Sequence, residues 1–307
     1  MEEKLERFVR QGTTEDLIEV EADEVLKAIA EGRDIDIEYA VIDGALNIGQ
    51  IADRLEQDED GKLVIRGSVS IWYSEIRGYT NFSSTTFSRD VDFSYAAFSR
   101  DAYFRSATFS GLYANFSAAT FSGGAYFVET TFSGDASFKS TTFSEDTSFI
   151  SAAFNGDANF DYATFSRDVS FLSVTFSGDA DFRSATFSGK ADFGYATFNV
   201  RAHFVRTTMK FPAGFLGVCF RENTVRAGLK THILCPFVRW LTRGKVNLME
   251  RPVTDFSEFN TNIIMDGSSN PYLKRYIDDE QWITSWRKTA WWREVLLRIW
   301  ELTSHCG

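Results

Sequence analysis

The sequence predicts an all-β solenoid with an α-helical cap at each end. Three observations predict it. Phe recurs from Phe82 to Phe204 at steps that alternate between five and six positions. The residue two before each Phe is small, as Ala180 is before Phe182 and Ala191 before Phe193. On both sides of this array the rhythm stops and amphipathic segments take over.

The array is the dominant feature of a 307-residue chain that holds 30 Phe but only 4 Met and 4 Pro. Its typical unit is Phe176-Ser-Gly-Asp-Ala-Asp-Phe182-Arg-Ser-Ala-Thr, and one step of seven positions, Phe109 to Phe116, adds a residue. An α-helix turns about 100° per residue, so steps of five and six would scatter the rings over all faces. Ser, Gly, Thr, Asp and Asn between them are also poor helix formers. In a strand, residues two apart share a face. Ala180 and Phe182 then point inward with Ala185 and Phe187, while Asp181 and Thr186 point out. The residues that follow each Phe suit a corner. One such short strand cannot bury its Phe, so the units must stack, each buried ring contributing about 1.5–3 kcal/mol.

The register extends upstream. Ile65, Ile71 and Ile76 continue the rhythm into Phe82, and Ile37, Ile42 and Ile48 show the same steps. Between the two sets, Ala52 to Lys62 is a charged excursion expected to loop out, and Met209 fits the last inward position. Counting four inward positions per coil gives between seven and eight coils.

Units such as Ala180-Asp181-Phe182-Arg183-Ser184 and Ala158-Asn159-Phe160-Asp161-Tyr162 resemble the pentapeptide repeat family. That resemblance implies a right-handed, quadrilateral β-helix with four units per coil. Every second unit here carries an extra residue, which is expected to bulge at a corner. The repeat then runs to about 22 residues per coil. The expected organisation is an N-terminal helical cap over 1–34, the β-helix over 35–209, and a Trp-rich, mainly helical region over 210–307.

Residues 14–32 place Ile18, Ala22, Val25, Leu26 and Ile29 on one side at helical spacing, with Gly32 as the stop signal. At the other end, Asn270 and Pro271 suit a helix start. A helix through about Trp286, continuing past Thr289 to Leu302, is expected. Six of the seven Trp lie after residue 239. Trp282, Trp286, Trp291, Trp292, Arg293, Leu296, Ile299 and Trp300 are the candidate contact residues, for a protein partner, a second copy of the chain or a membrane surface. Trp beside Arg and Lys suits the lipid headgroup region. The stretch Met265–Trp300 also resembles the part of longer pentapeptide repeat proteins that leads into predicted membrane helices.

Charge separates along the chain. Residues 1–81 hold 9 Lys/Arg against 20 Asp/Glu, residues 82–204 hold 8 against 13, and residues 205–307 hold 15 against 10. The overall net charge of −11 argues against direct nucleic-acid binding. The three Cys cannot all pair and none forms a CxxC. The start lacks an apolar signal region, and no apolar run reaches membrane-span length, so a cytoplasmic location is expected, with membrane association as the alternative.

Asp90, Asp101, Asp135, Asp146, Asp157, Asp168 and Asp179 occupy the extra-residue position, in two columns on opposite edges. Their expected role is hydrogen bonding to turn backbone, as in Asx-turns. A carboxylate ladder imitating DNA phosphate, as in relatives that regulate topoisomerases, is the alternative the resemblance implies; Arg89, Arg100, Arg167 and Lys190 interrupt it. Calcium is disfavoured because no Gly-Gly-x-Gly-x-Asp run occurs. His203, His232 and His305 are scattered, and neither a phosphate loop nor a GxSxG elbow is present. No metal, cofactor or enzymatic activity is expected. The chain reads as a non-catalytic scaffold.

Overall fold

A computed structural model describes residues 7–211, 213–214, 218–220 and 225–226. They form a right-handed β-solenoid of about nine turns with about 22 residues per turn. Its strands lie in four parallel sheets of 10, 8, 9 and 7 strands, one sheet per wall. Chain order visits the walls in a fixed cycle, shown by Val91–Asp92 on the first, Ala97–Phe98 on the second, Ala102–Tyr103 on the third and Thr108–Phe109 on the fourth. At about 4.8 Å per turn the rod is about 43 Å long, longer than the seven to eight coils counted from the rhythm.

Stacking follows from the register. Phe87 pairs with Phe109 and Phe98 with Phe121 across adjacent coils. Every Phe from Phe82 to Phe204 is buried, with 5% exposure or less. On the first wall Phe116, Phe138, Phe160, Phe182 and Phe204 stack at 4.9–5.0 Å with planes within 4° of parallel. Rings from the opposite wall meet them edge to face, as Phe127 meets Phe138 at 5.3 Å and 83°. Aromatic pairs favour both arrangements. The small inward residues leave room for the rings. Where the chain places Thr at the tight turns, its hydroxyl is taken up by backbone: the Oγ1 atoms of Thr130, Thr141 and Thr207 donate to the carbonyls of Phe104, Phe116 and Phe182 at 2.7 Å.

The two kinds of corner explain the alternating steps. After the first and third walls a tight turn closes with an i→i+3 bond, such as Ala96 N to the Phe93 carbonyl at 3.1 Å. Its third residue is left-handed. Among the described residues fourteen non-Gly positions have φ of 48–59°, including Tyr95, Ala118, Ser140 and Tyr162. A side chain there costs about 1 kcal/mol or more. Ser140→Gly is therefore expected to be neutral or to raise stability by up to about 1 kcal/mol, and Ser140→Val to lower it by more than about 1 kcal/mol. Urea unfolding of both variants checks this, and equal stabilities would refute it. The other two corners carry the extra residues. In the single seven-position step, Leu112 is pushed into solvent, 85% exposed.

The N-terminal end differs from its sequence reading. In place of one helix over 14–32, the chain forms β1 (Arg7–Gln11), β2 (Ile18–Glu21) and α1 (Ala22–Ala30). β1 pairs with Asp34–Glu38 and β2 with Ala40–Asp43, so strands are added before residue 35. Ile18 and Val20 fit a period of two as well as they fit a helix, and parallel pairing with Ala40 and Ile42 decides the matter. α1 buries Ala22, Val25, Leu26, Ala28 and Ile29 against the first coil. It ends in a Schellman motif: Gly32 N bonds the Ile29 carbonyl, Arg33 N bonds the Ala28 carbonyl, and Gly32 takes φ of 71°. The guanidiniums of Arg10 and Arg33 lie 4.2 and 5.3 Å from the centre of the Phe8 ring, covering its face. At the far end, strands Cys219–Phe220 and Val225–Arg226 continue past Met209. The expected C-terminal helical cap lies outside the described residues.

The charged excursion loops back rather than out. A 3-10 segment, Ile48–Arg54, leads to an antiparallel bridge between Gln57 and Leu63. Asp58 accepts the Thr86 hydroxyl at 2.5 Å and Lys62 N at 2.9 Å, and Lys62 Nζ donates to Thr108 Oγ1 at 2.7 Å. The excursion is thereby tied to the Thr column of the fourth wall. The Thr86 hydroxyl, then Lys62 N, hold the Asp58 carboxyl below its usual range. This tie contributes stability above about pH 3.8 and loses it as the pH falls through the lowered value.

Candidate functional site

The tube is filled, so the working surface is its exterior. The second and fourth walls present half-buried Thr columns: Thr120, Thr142, Thr164, Thr186 and Thr208 on one, and Thr86, Thr108, Thr131, Thr175 and Thr197 on the other. The first wall presents Asp92, Asn115, Ser137, Asn159, Asp181 and His203. Five of these are short, and they leave the wall flat. Asp and Asn here also close local turns, as Asp161 N bonds Asn159 Oδ1 at 2.9 Å and Arg183 N bonds Asp181 Oδ1 at 2.9 Å.

The extra-residue Asp columns behave differently. Their carboxylates do bond turn backbone, but that of the next coil rather than their own. Asp157 N bonds Asp135 Oδ1 at 2.9 Å, Asp179 N bonds Asp157 Oδ1 at 2.8 Å, and Lys190 N bonds Asp168 Oδ1 at 2.8 Å. Six of these seven carboxylates, those of Asp90, Asp101, Asp135, Asp157, Asp168 and Asp179, thus work as rungs between coils. Arg201 ends one column in an ion pair with Asp179 at 2.6 Å. Asp157→Ala is expected to cost about 1 kcal/mol, because it removes one accepted bond. Asp157→Asn, whose carbonyl can still accept, should cost less than half of that; equal losses in the two variants would refute the rung.

His203 is the imidazole of the described region. Burial lowers its pKa, against the raising influence of Asp181 and Asp179. The folded state therefore takes up a proton less readily than the unfolded chain. Stability from this group is full above about pH 6.5 and falls as the pH drops from there through the lowered value. His203→Gln should flatten the loss of melting temperature between pH 7 and pH 5.5. An unchanged slope would contradict this.

Aromatic side chains gather near the N-terminal end. Tyr39, Tyr73 and Tyr95 stack at the first corner at 5.1 and 4.2 Å. On the third wall Tyr103 stacks on Tyr126 at 5.1 Å. Beside Tyr103, at the corner between the second and third walls, lies an open recess of about 810 Å³. Three successive coils line it, through Asp43–Ala45, Arg77–Tyr79 and Arg100, Asp101 and Tyr103. At this corner the coils stack backbone on backbone: a Cβ on Gly78 would sit 1.9 Å from the Gly44 carbonyl oxygen. Asp101 braces one side, accepting Gly124 N at 2.8 Å and the Tyr103 hydroxyl at 2.9 Å. That bond to Asp101 raises the Tyr103 pKa.

Of the residues singled out in the sequence, Arg100 and Asp101 fall at this recess, where they meet Arg77, Tyr79 and Tyr103, which carry no motif of their own. The departure of Gly78-Tyr79 from the Asp found at later corners is the signal that could have marked them. Trp282, Trp286, Trp291, Trp292, Arg293, Leu296, Ile299 and Trp300 lie outside the described residues. Among the described residues, no group of three or more His, Cys, Asp or Glu is placed to hold a metal ion, and no helix is long and apolar enough to cross a membrane.

A tube packed solid with rings and walled by short polar side chains defines a solenoid repeat protein whose outer surface meets its surroundings. Residues 82–131, 127–175 and 171–218 match the family described as pentapeptide repeats, nine copies. The repeat region of this chain belongs to the pentapeptide repeat family. Neither the curated proteins nor the solved structures give a match to the chain.

Proposed function

We propose that the chain is a non-catalytic scaffold that binds a protein partner, with the rod setting spacing and the Trp-rich C-terminal region supplying the main contact. The observation that supports this reading is the direction of the apolar side chains: the Phe ladder is consumed inside, and flat polar walls are left outside. Solenoids offer extended surfaces of this kind for binding. The charge pattern agrees, since a basic segment follows an acidic body. A second copy of the chain is one partner of the right chemistry. A cytoplasmic location and contact of the Trp-rich region with a membrane surface belong to the same reading.

A DNA-mimic role would call for an unbroken acidic surface. Arg201 ends the Asp column of one edge, and Lys190 follows Asp168 on the other. The charge map therefore favours the scaffold.

The test replaces Trp282, Trp286, Trp291, Trp292 and Trp300 together by Ala in the full chain. Light scattering and liposome flotation then compare it with the parent. A loss of self-association or of vesicle binding is expected. A parent that is monomeric, ignores vesicles and matches the variant in both assays would sink this assignment of the contact.

A further inference from the structure

The corner recess carries chemistry that the scaffold reading does not use. Several arginines on this acidic body are tied to a carboxylate, as Arg7 to Asp36 at 2.9 Å and Arg10 to Glu24 at 3.1 Å. The two at the recess are held less closely, Arg77 in two long ion pairs and Arg100 in none among the described residues. Arg77 comes no closer than 3.8 Å to a carboxylate, that of Glu75, with Glu19 at 3.9 Å. Both arginine side chains are exposed. Asp101, which also lines the recess, already has its two oxygens occupied by Gly124 N and the Tyr103 hydroxyl. The Tyr79 hydroxyl accepts from Asn47 Nδ2 at 3.1 Å, which leaves its own proton to donate. Two guanidinium forks and a phenol donor thus border one opening together with the carboxylates of Asp43 and Asp101, of which Asp101 is already hydrogen-bonded through both oxygens.

We propose that this recess binds a phosphoryl group carried on a peptide segment of a partner protein, a proposal that deepens the scaffold reading and rests on it. A tetrahedral dianion can use both forks and the phenol at once, where a lone carboxylate is satisfied by one fork. The opening of about 810 Å³ is far larger than a free phosphate ion and is unroofed, as an extended peptide requires. The Tyr79 and Tyr103 rings give flanking side chains an apolar surface. Clustered guanidinium donors are the arrangement by which phosphorylated motifs are read.

The test uses the full chain and a fluorescent peptide mixture with a central phosphoserine and random flanks free of Lys and Arg. Matching mixtures carry Ser or Glu at the centre, and inorganic phosphate serves as competitor. The phosphoserine mixture should bind at least tenfold more tightly than the Ser mixture. R77Q/R100Q should lower that affinity at least tenfold with an unchanged melting temperature, and R89Q/R105Q, an equal charge change elsewhere, should leave it intact. Equal binding of the phosphoserine and Ser mixtures overturns the proposal. So does an equal loss in the two double variants, which would signal bulk charge. Binding of inorganic phosphate with no gain from the peptide would assign the recess to a free anion and overturn the peptide source. The five-Trp variant should bind the phosphoserine mixture like the parent, so a failure of the tail contact is read separately.

Discussion

Phe138→Ala should destabilise the solenoid by about 3–5 kcal/mol, whereas Phe138→Leu should cost roughly half as much or less. Phe138 is fully buried. It stacks on Phe116 and on Phe160 at 5.0 Å and meets the edges of Phe127 and Phe149 at 5.3 Å. Removing the ring leaves a cavity that the coils cannot close, because their spacing is set by backbone hydrogen bonds such as Phe138 N to the Asn159 carbonyl at 2.7 Å. Each coil contacts only its neighbours, so the loss should appear as a split or broadened transition centred on the middle coils. Hydrogen exchange would show the faster-exchanging amides clustered within one coil of residue 138. A loss of under about 1 kcal/mol, or one spread evenly over the rod, would mean that the rings do not carry the stability.

Gly134→Ala is the second substitution with a large expected effect, about 1–3 kcal/mol despite adding one methyl group. A Cβ at Gly134 would lie 2.1 Å from the Leu112 carbonyl oxygen and 2.4 Å from its carbonyl carbon, so the coil below must shift. This is the corner where the seven-position step adds its extra residue, and Asp135 N bonds that same Leu112 carbonyl at 3.0 Å. At Gly124 the obstacle is instead the Tyr126 side chain, whose hydroxyl is 2.5 Å away. A ring on an outer wall can move, so Gly124→Ala should cost less. Thermal unfolding of the pair checks the order, and a larger loss at Gly124 would contradict it.

The interior was legible because one signal, Phe at alternating steps, fixes both wall and direction for each residue. Ile65, Ile71, Ile76 and Met209 were placed by the same rhythm, and all four are buried. The corners were legible in position but not in role: spacing shows that Asp157 occupies an added residue, while its bond to Asp179 N depends on how far one coil advances over the next. β1 and β2 were missed because two short strands before the rhythm begins have nothing to establish a period. The recess was hidden for a different reason. Leu46 pairs with Thr80 and Thr80 with Ala102, and the first of these intervals is half as long again as the second. The charged excursion inserts the difference, so no fixed period aligns Gly44 with Gly78 and Arg100. Its residues become neighbours only once the excursion is set aside.

The stacked tube requires successive coils of about 22 residues to advance by one strand spacing. Spin-label distances along the first wall measure that advance. Ser70, Asp92, Asn159 and Asp181 face outward in a single column. Labelled in pairs as Cys, in a chain whose native Cys are Ser, Asp92 with Asn159, Asp92 with Asp181 and Ser70 with Asp181 span three, four and five coils. The expected separations are about 14, 19 and 24 Å, rising by about 4.8 Å per coil. Distances that fail to rise in even steps, or a last separation twice the expected one, would contradict the stacked tube and the scaffold built on it.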